Sequence, residues 1–172
     1  MHHLVDLARL RREAEDFELI TGAVVGLYTS GGGVPKLSIP EAVVGVGGVE
    51  GDSQGHRVHH GRPWQAVCLY SAEVIEALRE EGHPISAGAA GENLTVEGID
   101  WARLRGGLTI EIGEVRCRVS APAQPCHQIA GFFVSEDSSR IAHAKHPGWS
   151  RWYASVLHGG VIRPGDAVVV SA

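Results

Sequence analysis

Apolar and polar positions alternate in two neighbouring segments, Leu108–Ile112 (LTIEI) and Val115–Ser120 (VRCRVS), with Gly113 and Glu114 between them. A period of two puts every second side chain on one face, so the pair reads as a half-buried hairpin closed by a tight turn. Leu19–Tyr28 (LITGAVVGLY), Ala42–Val46, Gln65–Tyr70 (QAVCLY), Asn93–Glu97 (NLTVE) and Ala167–Val170 are further runs rich in strand formers. A different rhythm follows Ser71, whose hydroxyl suits a helix N-cap. Val74, Ile75 and Leu78 share one face of a helix over Ala72–Glu81, and Gly82 suits its left-handed stop. Leu4, Leu7 and Ala8, then Arg11 and Arg12, predict a short helical arm over residues 4–16. Trp149, Trp152, Tyr153, Val156 and Leu157 fall at helical spacing, which predicts a helical segment over 136–158, interrupted at His146-Pro147-Gly148.

Many short strands with few helices, and no βαβαβ alternation, predict a mostly β fold. The expected architecture is a closed or nearly closed antiparallel β-barrel decorated by two or three helices. Residues 1–18 form an N-terminal helical extension in this reading, and residues 19–172 form the barrel domain.

Composition sharpens the picture. The chain has 172 residues, a length that suits one domain, and its 44% hydrophobic content with a net charge of −5 excludes a disordered chain. That charge also argues against a nucleic-acid partner, which calls for a concentrated basic face. Its 23 glycines are nearly twice the average share of about 7% and do not recur every third residue, so they mark tight turns. The three cysteines, Cys68, Cys117 and Cys126, make no even disulfide set and no C-x-x-C pair, so a reducing cytoplasm is the expected location. No stretch approaches ~18 consecutive apolar residues, so no membrane span is expected. Met1–Ile20 mixes acids and bases without the apolar core of a signal peptide.

Candidate chemistry concentrates in loops. Gly51–Pro63 (GDSQGHRVHHGRP) gathers Asp52, His56, Arg57, His59, His60 and Arg62 in a stretch without strand or helix pattern, and such loops are often functional. Its three histidines could ligate zinc, hold an anion or cofactor, or simply bond to backbone. They lack the i, i+4 helical spacing of a zinc protease. Ser30–Lys36 (SGGGVPK) can form an anion nest, although the phosphate-loop pattern is absent; Lys36 is either a solvated lysine or a phosphate ligand. Asn93, in Gly91-Glu92-Asn93-Leu94-Thr95, can fix a ligand through donor and acceptor or stabilise a turn. Cys68 and Cys117 lie inside strand patterns and read as ordinary buried cysteines. Cys126 lies in a loop (APAQPCH), where accessibility and nearby positive charge would favour the thiolate.

Taken in order, several segments resemble the MOSC family, the domain named after the C-terminal part of molybdenum cofactor sulfurase, in its stand-alone bacterial subgroup. They are Gly33-Val34-Pro35-Lys36, Gly51-Asp52 through His59-His60-Gly61, Val67-Cys68-Leu69-Tyr70-Ser71, Gly91-Glu92-Asn93-Leu94-Thr95, Pro125-Cys126 and His146-Pro147-Gly148-Trp149-Ser150-Arg151. The resemblance covers residues 20–170 and implies a mostly antiparallel barrel that binds a molybdenum cofactor, a pyranopterin dithiolene with a terminal phosphate. It implies Cys126 as the molybdenum ligand, with Lys36 and Arg57 against the pterin phosphate. Asn93, with Leu94 and Thr95 of the same segment, would bind cofactor, as would Gly61 and Arg62. His59 and His60 are its plausible pocket residues and proton donors. Arg62 stands where the family-like segment has glycine, so it adds an anion contact or narrows the entrance.

The implied activity is reduction of N-hydroxylated compounds such as hydroxylaminopurines and amidoximes. Its partners would be a small-molecule substrate and a separate electron-donating reductase, and the protein would be a monomer or homodimer. The alternative is a cofactor or sulfur carrier with a persulfide on Cys126 and no reductase turnover. A third reading, from a different class, is a ligand-binding barrel without molybdenum, in which zinc bound by His56, His59 and His60 would point to a hydrolase.

Overall fold

A computed structural model describes residues 7–53 and 62–172 of the chain. The hairpin predicted from the period-two pattern is present: β7 (Thr109–Ile112) and β8 (Val115–Ala123) pair antiparallel, with Ile112 opposite Val115. In chain order the other strands are β1 (Ile20–Thr29), β2 (Leu37–Ser38), β3 (Ala42–Gly45), β4 (Gly48–Val49), β5 (Val67–Ser71), β6 (Leu94–Glu97), β9 (Arg151–His158), β10 (Gly160–Ile162) and β11 (Ala167–Ser171). The order β11-β7-β8-β9-β5-β6-β1 closes on itself because β1 also pairs with β11, which makes a seven-stranded barrel. All neighbours are antiparallel except β5 and β6, which run parallel. The short β2 extends the sheet from β1, and β10, β3 and β4 form a separate three-stranded sheet.

Two α-helices are described. The first, α1 (Leu7–Glu15), is surface-borne and carries the i,i+4 pairs Arg9–Glu13 at 2.7 Å and Arg11–Glu15 at 3.1 Å. The second, α2 (Ala72–Glu80), starts where the sequence placed its cap: Ser71 Oγ accepts from the Val74 N–H at 3.2 Å. Past its end, Gly82 takes φ +95°, a backbone conformation that side chains disfavour. Ile75 and Leu78 are buried, so α2 covers the barrel with the face that the pattern indicated.

The helix expected over 136–158 does not form. The stretch holds short 3₁₀ turns, Val134–Glu136 and Ser138–Ile141, and then strand β9. Aromatic and branched residues at 149, 152, 153, 156 and 157 satisfy helical spacing, but β9 is a central strand, paired to β5 and β8, with both faces covered over most of its length. A strand buried on both faces shows a continuous apolar run rather than alternation, and periodicity alone cannot separate it from a buried helix.

The burial of β5 and β9 divides into two layers. Val67, Leu69, Trp152 and Ala154 join the main core inside the barrel, with Leu27, Leu94, Ile110 and Val168. Cys68 and Tyr153, opposite each other across the two strands, form a separate small cluster with Ala123. Successive strand side chains point to opposite faces. Cys68 and Tyr153 therefore face outward, and Arg151, two residues before Tyr153, shares that face.

Candidate functional site

The outward face of β5 and β9 is the floor of a cleft. Loops roof it: Gly33, Val34 and Lys36 from one, Ala90 and Gly91 from a turn, and Cys126 with Gln128 and Ile129 from the segment after β8. Between the described residues its cavity volume is about 70 Å³, smaller than the usual enclosed small-molecule pocket.

Asn93 joins three of these pieces. Its backbone N–H donates to the Cys68 carbonyl at 2.8 Å, and its Oδ1 accepts from the Cys68 N–H at 3.0 Å. Its Nδ2 donates to the Tyr28 carbonyl at 3.3 Å and to Asp52 Oδ2 at 2.9 Å. With 2% exposure and both amide donors engaged, Asn93 holds the cleft's frame together. Asp52 is the second hub. Its Oδ1 accepts from the Ser30 N–H at 2.9 Å, and its Oδ2 accepts from Lys36 Nζ at 2.6 Å. The Lys36 and Asp52 side chains are only 9% and 5% exposed, so this ion pair is buried and much of the lysine charge is answered by the protein itself.

Arg151 is the second cation among the described residues of the cleft. Nη1 donates to the Ala90 carbonyl at 2.6 Å and Nη2 to the Gln124 carbonyl at 2.9 Å. One side chain thus ties the 88–91 turn to the segment that carries Cys126. Gly91 sits beside it with φ +85°, where an added Cβ would meet Val34 Cγ1 at 3.3 Å and Arg151 Nη1 at 3.9 Å. Glycine here supplies the turn conformation and keeps the cleft wall open.

Two thiols line the same cleft. Cys126 is half-buried at the N-terminal edge of the 3₁₀ turn His127–Phe132. Cys68 is buried on the floor; burial pushes its thiol pKa up, against the pull of Arg151 and Lys36 toward the thiolate. Burial likewise raises the Tyr153 phenol, and the Trp64 ring packs edge-on against Tyr153 at 5.8 Å. Behind the turn, burial raises the Glu92 carboxyl; its Oε1 accepts from the Gly88 N–H and from Thr95 Oγ1, while its Oε2 has no partner among the described residues.

Of the residues expected at a site, the fold brings Lys36, Asn93 and Cys126 to one cleft. Leu94 and Thr95 lie on β6 and are buried; Leu94 is in the core, and neither is among the lining residues. Arg62 is exposed just before the 3₁₀ turn Pro63–Gln65. His56, Arg57, His59, His60 and Gly61 lie outside the described residues. Among the described residues, no group of three or more His, Cys, Asp and Glu side chains is placed to hold a metal ion. Reading from the sequence missed Cys68, Arg151 and Tyr153 as cleft residues. The available signal was strand parity on β5, which puts Cys68 opposite in facing to Val67 and Leu69.

A family model for the MOSC domain matches residues 56–169, about two thirds of the chain. The chain belongs to the MOSC family. Two curated relatives agree: it is 36% identical over 117 residues to the uncharacterized protein YflK of Bacillus subtilis (strain 168), and 29% identical over 119 residues to protein YiiM of Escherichia coli (strain K12). Each match covers 67% of this chain and 52% of the relative, so the MOSC chain described here aligns with about half the length of either. The crystal structure of YiiM from Geobacillus stearothermophilus superimposes with a TM-score of 0.64 at 27% identity, covering 90% of this chain and 76% of that one. The MOSC match spans β5 through most of β11, and with them Cys68, Asn93, Cys126 and Arg151.

Proposed function

We propose that the outward cleft of this MOSC domain binds a molybdenum cofactor, with Cys126 as a ligand to the metal, and that the protein reduces N-hydroxylated compounds. One observation carries the reading: a half-buried thiol shares a cleft with a buried guanidinium, Arg151, that has no carboxylate partner among the described residues. A thiolate is the soft donor that a dithiolene-bound metal accepts, and a cationic wall suits a ligand bearing phosphate. The donor set therefore fits the group that MOSC membership suggests. When bound, the cofactor would supply the oxygen-accepting and electron-carrying chemistry.

The protein's part is binding and orientation. Cys126 Sγ offers the metal donor, and Arg151 fixes the segment that presents it through the Gln124 carbonyl. Lys36, held by Asp52, adds positive potential at the rim, and Asn93 keeps the floor and the 52–53 segment in register. Tyr153 and Trp64 wall off one side. Arg57, His59, His60, Gly61 and Arg62 are the further residues we assign to cofactor and proton handling. His59 and His60 suit proton exchange because an imidazole titrates near neutrality, at about 6.5. Electrons would come from a separate reductase in the cytoplasm.

The test is turnover. Protein made in a host that supplies the cofactor is mixed with a chemical electron donor and a hydroxylaminopurine. The wild type should convert it and Cys126→Ser should not; equal rates would remove Cys126 from the chemistry. The accessibility of Cys126, in contrast to buried Cys68 and Cys117, also favours a carrier reading, in which Cys126 holds a persulfide. That reading predicts a mass increment of one sulfur on the Cys126 peptide and no turnover with any donor.

A further inference from the structure

Arg151 has five N–H donors, as every guanidinium does, and two of them are used among the described residues. The residue is 6% exposed, and its Nε is buried with no hydrogen-bond partner among the described residues. No carboxylate forms an ion pair with it among the described residues. Of the residues outside the described set, 54–61 (QGHRVHHG) contain no Asp or Glu, and 1–6 contain one acid, Asp6. Glu92 is the carboxyl whose field it feels, but Glu92 is committed to Gly88 and Thr95, and burial drives it toward its neutral form. The other cation among the described cleft residues, Lys36, already has Asp52. A guanidinium taken out of water without a counter-ion is costly, and the side chain nonetheless lines the cleft.

We propose that Arg151 is the anion-recognition residue of the cleft, and that an oxoanion, free or carried by a larger ligand, settles against its guanidinium within reach of Cys126. Two carbonyl bonds hold the fork in a fixed plane, which favours bidentate recognition of a phosphate-like group over a point charge. The inference deepens the cofactor reading by naming the residue that would meet the ligand's charge. It does not require molybdenum.

The test uses alkylation of Cys126 as the readout, on protein from a host that makes no molybdenum cofactor. Iodoacetamide is added in sodium chloride, inorganic phosphate or phenyl phosphate at matched ionic strength, and the Cys126 peptide is followed by mass spectrometry. An anion in the cleft shields the thiol, so at ten times its dissociation constant the rate should fall roughly tenfold. Protection by both phosphates assigns a free oxoanion; protection by phenyl phosphate alone assigns a ligand-borne group. No protection by either overturns the proposal. Arg151→Gln should abolish protection, and Arg79→Gln, on the exposed face of α2, should keep it. If Arg151→Gln does not fold, Arg151→Lys carries the comparison: it keeps the charge but not the fork and should weaken protection several-fold. Unchanged protection in either Arg151 variant also overturns the proposal. Because no metal enters the readout, failure here is distinct from failure to find molybdenum.

Discussion

The buried Lys36–Asp52 pair is the feature whose removal has the most calculable effect. At 2.6 Å, two unit charges attract by about 6 kcal/mol at an effective dielectric of 20, before desolvation is counted. Lys36→Met removes that attraction and leaves the Asp52 carboxylate with only the Ser30 N–H and the Asn93 amide among the described residues. Breaking one side of a buried pair costs about 3–5 kcal/mol, because the remaining charge stays out of water. A chain of this size has about 5–15 kcal/mol in total, so the variant should be markedly weakened. Its melting temperature should fall by about 10 °C, at roughly 2–4 °C per kcal/mol. Asp52→Asn keeps a hydrogen-bonding oxygen but leaves Lys36 uncompensated, and the double variant Lys36→Met/Asp52→Asn should regain much of the loss. Urea unfolding of the four proteins closes the cycle. A Lys36→Met protein within about 0.5 kcal/mol of wild type, the range of an ordinary surface change, would refute the assignment of Lys36 to the frame of the cleft.

Asn93→Ala strips the Cys68 N–H, the Tyr28 carbonyl and Asp52 of one partner each and should cost about 2–4 kcal/mol by urea unfolding; a loss below 1 kcal/mol would contradict the hub described above. Burial pushes the Cys117 thiol from 9.0 up to about 12, so the folded state holds its proton more tightly than the unfolded chain does. The stability this gives is complete below pH 9 and is lost as pH rises toward 12, and the raised Tyr70 and Tyr153 phenols act in the same direction. The urea midpoint should therefore decline above pH 9, and Cys117→Ala should decline less steeply; a midpoint that holds constant to pH 11 would count against it.

The barrel was readable where neighbours in sequence are neighbours in space. The Gly113 hairpin, the Ser71 cap and the closing strand near Ala167–Val170 are all local, and each is in place. β9 was not readable, because both of its faces are buried over most of its length and its aromatic spacing mimics a helix. That misreading also hid Arg151, which only a strand pairing with β8 and β5 points into the cleft. Asp52 meets Lys36 across 16 residues and Asn93 across 41, and no local pattern encodes such contacts. Cys126 stood out because it interrupts a proline-flanked loop; Cys68 did not, since an apolar strand position looks the same on either face of a barrel.

The most direct test of the cofactor reading is molybdenum content, measured with pterin fluorescence, of wild type and Cys126→Ser freshly isolated from a cofactor-producing host. The wild type should carry molybdenum and pterin, and the variant should show a clear loss of metal. Equal, negligible metal in both proteins would contradict it.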